Sequence, residues 1–282
     1  MNNPIAACTW IFGQRDLADI AARLAAMGLD GAEIFINPRL CSPRELHRIF
    51  ADQGLRVFSM TPENVDIAHA SGNQRALALD DYFRLIDFAA ELGARAITCH
   101  EFVGRTQPHD GAEQEWARLS NACERIAARA AANHLDVVFE PLNRSLVSAV
   151  RTAGQAMNLV AAVNAPRFGV VLDTYHMHRE ENDPAAAIRH CGAALKAIQL
   201  ADSGRGRIGS GTIDFGAQLG ALAAIGYGGP LILECSSLPG PSWTNREVAA
   251  ESVETDLRES LSWLRTFRLR LPERFPAQST VE

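Results

Sequence analysis

The 282-residue sequence lacks the marks of a membrane, secreted or nucleic-acid-binding protein. It has no run of about 18 apolar residues, which a membrane-spanning helix requires. Its first residues, Met1-Asn2-Asn3-Pro4, carry neither the basic nor the apolar segment of a secretory signal. Positive charge is in deficit, with 27 Lys and Arg against 33 Asp and Glu. This negative balance opposes non-specific binding to nucleic acids. Together, these three features lead us to expect a cytoplasmic protein with no membrane or nucleic-acid partner.

Paired cysteines are missing too. None of the six cysteines belongs to a CxxC pair, and they are scattered along the chain. A free thiol in a strand behaves as a small apolar residue, which is how we interpret Cys8, Cys99 and Cys235. Reduced, structural cysteines agree with the cytoplasmic prediction.

What the sequence does contain is eight repeats of a strand pattern followed by a helix pattern. Short β-like runs begin near Ile5, Gly31, Leu55, Ala96, Leu135, Phe168, Leu195 and Pro230. The helical patterns cover residues 16–27, 43–53, 74–92, 113–133, 149–163, 183–194, 215–225 and 246–267. Such alternation is typical of βαβ units that build a parallel sheet.

Several helix boundaries have local support. Ser42-Pro43-Arg44-Glu45 predicts a capping box at the start of the second helix. Gly28, Gly54 and Gly93 each follow a helical pattern, where a left-handed residue ends a helix before the next strand. The pattern over 149–163 carries an apolar stripe suited to packing on a sheet.

Eight units in a chain of this length predict a single-domain α/β fold, a (β/α)₈ TIM barrel, over residues 1–270. A doubly wound open sheet is the alternative, and the lack of GxGxxG after the first strand disfavours it. We predict residues 271–282 to be a C-terminal tail that frays or packs on a neighbouring subunit.

Four consecutive strand patterns end in residues that can bind a metal. Each is an apolar run, of the kind buried on both faces of a parallel sheet, followed by a polar residue: Glu140, Asp173, Gln199 or Glu234. Strand ends meet at one face of a barrel, so these side chains can converge. Any one of these residues could instead cap a helix or form an ion pair. Four of them at corresponding strand ends favour a shared binding site for one divalent cation. All-oxygen ligands favour Mn²⁺ or Mg²⁺, with Co²⁺ as a further option, over Zn²⁺.

A cation here would suit proton transfer next to a carbonyl group. Glu140 and Glu234, on strands five and eight, could flank the substrate as an acid/base pair working through an enediolate. Return of the proton to the same carbon epimerises it, return to the adjacent carbon isomerises it, and loss of a β-hydroxyl dehydrates it. The residues leave these three outcomes open.

Four more residues are candidate substrate contacts. His176 follows Asp173 in the predicted loop after strand six, and Arg205 lies in a glycine-rich loop that could bend over the substrate. Glu33 and His100 end strands two and four and face the same mouth. The alternatives are a structural histidine at 176 and a solvated loop ion pair at Arg205.

At these segments the sequence resembles the xylose-isomerase-like TIM-barrel superfamily, in its sugar isomerase and epimerase branch. The matching segments are Glu140-Pro141-Leu142-Asn143-Arg144, Asp173-Thr174-Tyr175-His176-Met177, Asp202-Ser203-Gly204-Arg205, Gly209-Ser210-Gly211-Thr212-Ile213-Asp214-Phe215 and Leu233-Glu234. The resemblance implies the four metal ligands named above, with Glu140 and Glu234 as the acid/base pair. It also implies that His176 and Arg205 contact substrate oxygens and that the chains associate as dimers or tetramers.

Two positions depart from the ketose 3-epimerases of that branch. Their third ligand is usually His, whereas this sequence has Gln199, as the hydroxypyruvate isomerases do. They also carry a glutamate two residues after the Asn-Arg pair, where this sequence has Leu146. Both departures weaken the prediction of free-ketose 3-epimerisation and leave the metal and the proton-transfer chemistry untouched.

The leading hypothesis is therefore a divalent-metal-dependent isomerase or epimerase of a small sugar, sugar phosphate or hydroxy-keto acid. A metal-dependent dehydratase, a lyase acting on a polyol-derived ketone or cyclic hydroxy acid, is the alternative at the same site. The abasic-site endonucleases share the barrel but need a His-rich zinc cluster and a cationic surface, which this acidic sequence lacks. Failure to bind Mn²⁺ would favour a non-catalytic binding role.

Overall fold

The strands form a closed barrel. In the computed structural model, which describes residues 3–236 and 250–268, eight parallel strands follow one another around the barrel in chain order. The last strand pairs with the first, with Ile5 opposite Leu231 and Ala7 opposite Leu233. This closure confirms the predicted (β/α)₈ barrel and excludes the open doubly wound sheet.

The bounds of the elements are as follows. The strands are β1 Ile5–Cys8, β2 Gly31–Phe35, β3 Arg56–Thr61, β4 Ala96–Cys99, β5 Asp136–Phe139, β6 Phe168–Asp173, β7 Leu195–Leu200 and β8 Leu231–Leu233. The helices are α1 Leu17–Ala26, α2 Pro43–Ala51, α3 Gly72–Leu92, α4 Ala112–Ala132, α5 Ala153–Val163, α6 Thr174–Glu180, α7 Pro184–Cys191, α8 Phe215–Ala224 and α9 Ala250–Arg268. Short 3₁₀ helices occur at Thr9–Phe12 and Gly192–Ala194.

The barrel core is apolar because the strands bury residues on both of their faces. Every residue of β1 and of β6 is buried. The helices cover the outside of the barrel with one apolar face each. In α5 the buried residues Ala153, Ala156, Leu159 and Val163 recur every three or four positions, which is one face of a helix. A polar residue at a strand end is therefore the first that can leave this core.

Helix ends follow the sequence signals in part. Gly28, Gly54 and Gly93 have φ of 75°, 70° and 82°, which confirms the left-handed positions predicted after α1, α2 and α3. The capping box predicted at Ser42 is wrong, because the Ser42 side chain makes no capping hydrogen bond. Helix α2 nonetheless starts with Pro43, whose ring fixes the φ angle that the first turn requires.

The fifth helix begins four residues later than the sequence pattern predicts. A capping box at Thr152 and Gln155 starts α5 at Ala153. Ala149 and Val150 lie outside the helix and donate their backbone N–H groups to the buried carboxylate of Glu101. Their apolar side chains belong to a loop anchored by a carboxylate distant in sequence, which helical periodicity cannot reveal.

Helix α6 was not predicted. It starts directly after β6, where the Asp173 carboxylate caps it by accepting from the backbone N–H groups of Tyr175 at 2.6 Å and His176 at 3.1 Å. The predicted loop position of His176 is therefore wrong, because His176 lies in the first turn of a helix. Its ring is fixed by that helix rather than carried on a mobile segment.

Some sequence predictions concern parts of the chain outside the described residues. These are the domain boundary at residue 270, the tail over 271–282 and the start of the last helix at residue 246. Among the described helices, none combines the length and apolar character needed to cross a membrane. The cytoplasmic location, the lack of a nucleic-acid partner and the dimer or tetramer stay predictions.

Candidate active site

The C-terminal ends of the strands surround a cavity of about 480 Å³. Six of the candidate site residues line it: His100, Glu140, His176, Gln199, Arg205 and Glu234. The other two, Asp173 and Glu33, are buried behind these residues, with exposures of 0% and 1%. The barrel thus brings all eight candidates to one end, although not all of them reach the cavity.

Asp173 and Gln199 are neighbours at the ends of two strands. They pair in register on β6 and β7, and both are almost fully buried. Asp173 Oδ1 caps α6, whereas Asp173 Oδ2 accepts no hydrogen bond. The Gln199 amide donates from Nε2 to Glu33 Oε2 at 3.1 Å, and its Oε1 has no partner. Each residue therefore presents one buried oxygen atom to which no described residue donates a hydrogen bond.

Glu140 and Glu234 add two carboxylates beside Asp173. Glu140 directly follows β5, and Glu234 directly follows β8. Glu234 Oε1 accepts from the Trp10 indole at 3.2 Å and pairs with Arg205, whereas its Oε2 has no partner. Burial, together with the Glu234 and Asp173 carboxylates, raises the pKa of Glu140 well above its ordinary value. Burial also raises the pKa of Glu234, although Arg205 opposes the rise.

The buried oxygens of this site fit a divalent cation. Within the described part of the chain, three of the four candidate ligands carry an oxygen without a hydrogen-bond partner: Asp173 Oδ2, Gln199 Oε1 and Glu234 Oε2. A buried polar atom left unpaired costs about 1–3 kcal/mol, so such a group of atoms indicates that a partner is missing. Because every donor is oxygen and the carboxylates carry negative charge, the residues suit a hard cation such as Mn²⁺ or Mg²⁺.

His176 is held as a neutral hydrogen-bond donor. Asn143 Nδ2 donates to His176 Nδ1 at 2.8 Å, and the Asn143 amide orientation is fixed because its Oδ1 accepts from Ser145 N at 3.0 Å. Asn143 N also donates to Nδ1, at 3.4 Å, whereas Arg205 Nη1, which can only donate, lies 3.4 Å from Nε2, so both ring nitrogens face donors. The two contacts of Asn143, one of them the shortest of the three, assign the lone pair to Nδ1 and the proton to Nε2. Burial, aided by Arg205, lowers the pKa of His176 to about 3, which keeps the ring neutral.

The position of the ring proton decides whether His176 Nε2 could bind a cation or donate a hydrogen bond. A ligand nitrogen of His176 lies within 4.8 Å of the Glu140 and Asp173 oxygens, so a nitrogen ligand is geometrically conceivable. A cation would require a free lone pair on Nε2, and the Asn143 hydrogen bond places that lone pair on Nδ1 instead. The arrangement favours donation from Nε2, which lies 3.9 Å from Glu140 Oε1.

Arg205 projects into the site from a rigid loop. Its backbone has a φ of 61°, and its guanidinium pairs with Glu234, lies 3.8 Å from Asp173 Oδ2 and stacks 4.9 Å from the Tyr175 ring centre. Burial disfavours the charged guanidinium, but Glu234 and Asp173 outweigh that effect and raise the pKa of Arg205 above its ordinary value. The side chain is a fixed cation at this end of the cavity.

Asp202 holds the loop that carries Arg205. Its Oδ1 accepts from the backbone N–H groups of Ser203 at 2.7 Å and Ile213 at 3.2 Å, and its Oδ2 accepts from that of Gly209 at 2.9 Å. The Arg205 backbone N–H donates to the Asp202 carbonyl at 2.7 Å. The glycine-rich loop is folded around a buried carboxylate and brings Arg205 to the cavity, and its bend over the substrate stays a prediction.

Glu33 and His100 occupy different places relative to the cavity. Glu33 lies below it, where its carboxylate accepts from Thr98 at 2.7 Å, Thr61 at 2.8 Å and Gln199. The expected substrate contact of Glu33 is therefore replaced by contacts with protein groups. His100 lines the cavity and bonds the Glu101 carbonyl through Nδ1 at 2.7 Å, so its Nε2 is left as an acceptor.

Comparison with known proteins places the chain among sugar-converting enzymes. A family model described as xylose isomerase-like TIM barrel matches residues 21–267. The ketose 3-epimerase of Arthrobacter globiformis is 31% identical over 202 residues, which cover 66% of this chain and 69% of that protein. The 3-dehydroshikimate dehydratase of Pseudomonas aeruginosa is 30% identical over 227 residues, which cover 75% of this chain but 34% of that protein.

The fold is also shared with a solved enzyme structure. The crystal structure of D-allulose 3-epimerase from Methylomonas sp. superposes with a TM-score of 0.84 and 23% sequence identity. The superposition covers 94% of this chain and 98% of that chain. At this identity the likeness establishes the barrel and its topology.

Proposed function

The chain belongs to the xylose isomerase-like TIM barrel family, and from this premise we propose that it is a divalent-metal-dependent epimerase or isomerase of a small ketose or hydroxy-keto acid. Its likeness to a ketose 3-epimerase supports an enzyme of the sugar isomerase and epimerase class. The finer proposal concerns the metal, the acid/base pair and the residues that hold the substrate.

One observation carries the metal proposal. Asp173 Oδ2, Gln199 Oε1 and Glu234 Oε2 are buried oxygens to which no described residue donates a hydrogen bond, and they come from three consecutive strands or strand ends. In the proposal they hold the cation together with Glu140. When bound, the cation would polarise the substrate carbonyl and stabilise the negative charge that develops on its oxygen.

Glu140 and Glu234 are proposed as the acid/base pair. They come from β5 and β8, on either side of the strands that supply Asp173 and Gln199. A carboxylate that removes a proton next to a carbonyl works best with a pKa near the working pH, and burial raises the pKa of both glutamates. One glutamate would take the proton to give an enediolate, and the other would return a proton to it.

His176 and Arg205 are proposed to hold substrate oxygens. With the lone pair on Nδ1, the His176 Nε2 proton has no acceptor at hydrogen-bond distance among the described residues, since Glu140 Oε1 is 3.9 Å away and Arg205 Nη1, at 3.4 Å, can only donate. Arg205 contributes a fixed positive charge beside Glu234, where an oxyanion would develop. Neither group would exchange a proton, because His176 is held neutral and a guanidinium stays protonated.

A dehydratase is the second candidate, supported by the likeness to 3-dehydroshikimate dehydratase. The same pair of carboxylates could remove a proton next to a carbonyl and protonate a leaving β-hydroxyl. The epimerase remains the first choice because the ketose 3-epimerase relative matches over 69% of its own length, against 34% for the dehydratase.

Proton exchange tests the proposal directly. The Mn²⁺-loaded protein is incubated in D₂O with ketoses, ketose phosphates, hydroxypyruvate and an inosose, and the products are read by NMR. We expect deuterium to enter a carbon next to the carbonyl, and its position identifies the reaction. An absorbing enone product without interconversion of isomers would favour the dehydratase.

Two variants test the acid/base pair. Glu140→Gln and Glu234→Gln should each lower the exchange rate by about 10²–10⁴-fold, the usual contribution of general acid–base catalysis. Glu251→Gln, at an exposed position on α9, is the matched control and should exchange like the wild type. Wild-type exchange rates in both site variants would reject the proposed mechanism.

A further inference from the structure

The cavity has two chemically different halves. The half beside β5 to β8 holds the charged and amide groups described above. The other half, formed by the end of β2 and the segments after β3, β4 and β5, presents a set of apolar side chains. We call these residues the apolar wall: Phe35, Val65, Val103, Leu142 and Leu146.

The apolar wall is held together by hydrogen bonds between loops. The Asn64 side chain donates to the Val103 carbonyl at 2.9 Å and accepts from the Val103 N–H at 2.8 Å. Gly104 N donates to the Leu146 carbonyl at 2.8 Å. The loops after β3, β4 and β5 are thus joined, and the wall is a fixed surface rather than a chance grouping of mobile side chains.

Much of the wall is exposed to the cavity. Phe35 is 39% exposed and is one of three exposed large apolar side chains among the described residues. Val65, Val103 and Leu146 are only partly buried. Covering such a surface with an apolar group of a ligand is favourable, because it removes apolar area from water.

Polar groups in this half are mostly engaged by the protein. Both ends of the Asn64 amide bond Val103, and the Thr61 hydroxyl donates to Glu33. Glu63 Oε1 accepts from Asn37 at 2.8 Å. Few side-chain groups are therefore available for a row of substrate hydroxyls.

The groups that stay available in this half are mostly acceptors and carry no positive charge. Among the described residues they are His100 Nε2, the second carboxylate oxygen of Glu63 and one N–H of the Asn64 amide. A phosphate group requires donors and positive charge, and in this half, among the described residues that line the cavity, it would meet a carboxylate instead. The lining therefore disfavours a phosphorylated ligand.

We propose that the site selects an uncharged ketose whose end remote from the carbonyl is a methyl group, as in a 6-deoxyketose. This inference rests on the proposed function, which places the carbonyl end of the ketose beside Glu140 and Glu234. The methyl end then lies against the apolar wall. A terminal hydroxyl in that place would lose its water partners against carbon atoms, and a phosphate would be desolvated near Glu63.

Binding of matched compounds tests this specificity without relying on turnover. Calorimetry on the Mn²⁺-loaded full chain compares each hexulose with its 6-deoxy form and its 6-phosphate, for D- and L-fructose, psicose and tagatose. In at least one of these sets the 6-deoxy form should bind about 10-fold or more tightly than the parent sugar, and the phosphate should bind most weakly. Equal or tighter binding of the parent sugar or the phosphate in every set would overturn the inference, as would no binding by any compound.

A variant of the wall tests whether these residues cause the preference. Leu146→Gln keeps a similar side-chain length and brings an amide into the wall, so the preference for the 6-deoxy form should fall by about 10-fold. Leu77→Gln, on α3 and 61% exposed, is the matched control and should keep the wild-type preference. An unchanged preference in Leu146→Gln would show that the wall does not select the ligand.

Proton exchange on the same compounds separates this inference from the proposed function. Methyl-dependent binding without deuterium exchange would support the specificity and reject the proton-transfer mechanism. Exchange without a methyl preference in binding would support the mechanism and reject the specificity.

Discussion

At the scale of single residues, the Gln199 amide can offer oxygen to a cation only if its nitrogen is turned away. Glu33 provides that orientation, because its Oε2 accepts from Gln199 Nε2 while its Oε1 accepts from the hydroxyls of Thr61 and Thr98. Burial raises the pKa of Glu33, and the two threonine hydrogen bonds oppose the rise. Glu33 is therefore inferred to be a positioning residue.

Two substitutions of Glu33 separate this orienting role from simple packing. Glu33→Leu removes the acceptor and should weaken Mn²⁺ binding by about 10–100-fold, as loss of a group that orients a ligand does. Glu33→Gln should retain most of the affinity, because its oxygen can accept from Gln199 while its amide donates to threonine hydroxyls, which can rotate. Mn²⁺ affinity is measured by electron paramagnetic resonance on protein shown to be folded by circular dichroism. Equal affinities in the two variants would contradict the orienting role.

The sequence predicted where the candidate ligands lie, but not which residues form hydrogen bonds with the site. Asp173 and Gln199 follow apolar strand runs, so strand periodicity and barrel topology place them together. The hydrogen bond between Asn143 and His176 and that between Trp10 and Glu234 join residues far apart in the sequence. Such pairs depend on side-chain packing across the barrel, and no local pattern encodes them.

At the scale of elements, the loop over residues 203–213 is built around the Asp202 carboxylate. Burial would raise the pKa of Asp202, but the backbone N–H donors outweigh it and hold the pKa below its ordinary value. Because the pKa is depressed in the folded protein, this stabilisation is present above the ordinary Asp range and is lost as the pH falls through the lowered pKa.

Asp202→Asn should loosen the loop and displace Arg205. The amide nitrogen that replaces one oxygen cannot accept a backbone hydrogen bond, so the free energy of unfolding at neutral pH should fall by about 1–3 kcal/mol. Turnover of the ketose should fall while Mn²⁺ binding is retained, because the variant leaves the four proposed ligands in place. The difference in stability from the wild type should shrink as the pH falls below the ordinary Asp range, which denaturant unfolding at several pH values measures.

Asp183→Ala is the control for the Arg205 loop. Asp183 caps α7 through the backbone N–H of Ala186 at 2.9 Å, so Asp183→Ala removes a helix cap outside the Arg205 loop. It should cost stability and leave turnover unchanged. If both variants lowered turnover equally, the effect would follow from stability and not from the position of Arg205.

Helices and strands were predictable where a long apolar pattern lies within a single segment of the sequence. The eight strands and the long helices α3 and α4 follow from apolar periodicity and glycine ends. Helix α6 spans seven residues and depends on the Asp173 carboxylate, which the sequence pattern assigns to a metal instead. One side chain serves both as cap and as candidate ligand, with one oxygen for each role.

At the scale of the whole molecule, the barrel gathers negative charge at one end. Glu33, Glu140, Asp173 and Glu234 are all buried there, and Arg205 is their cationic neighbour. Burial of like charges opposes folding unless a cation compensates them. Occupancy of the proposed metal site should therefore stabilise the entire fold, in addition to supporting turnover.

Mn²⁺ should raise the thermal stability of the protein. A ligand that binds only the folded state, at 100 times its Kd, adds about 2.7 kcal/mol, which for a chain of this length corresponds to a rise in Tm of roughly 5 °C. Calorimetry in Mn²⁺ and in EDTA measures this shift.

Asp173→Asn should abolish the Mn²⁺-dependent shift, because the free Oδ2 is lost or replaced by a donor. Asp136→Asn, at the opposite end of β5 and paired with Arg167, should keep it. A shift that persists in Asp173→Asn would place the metal elsewhere, and no shift in the wild type would argue against a resident cation.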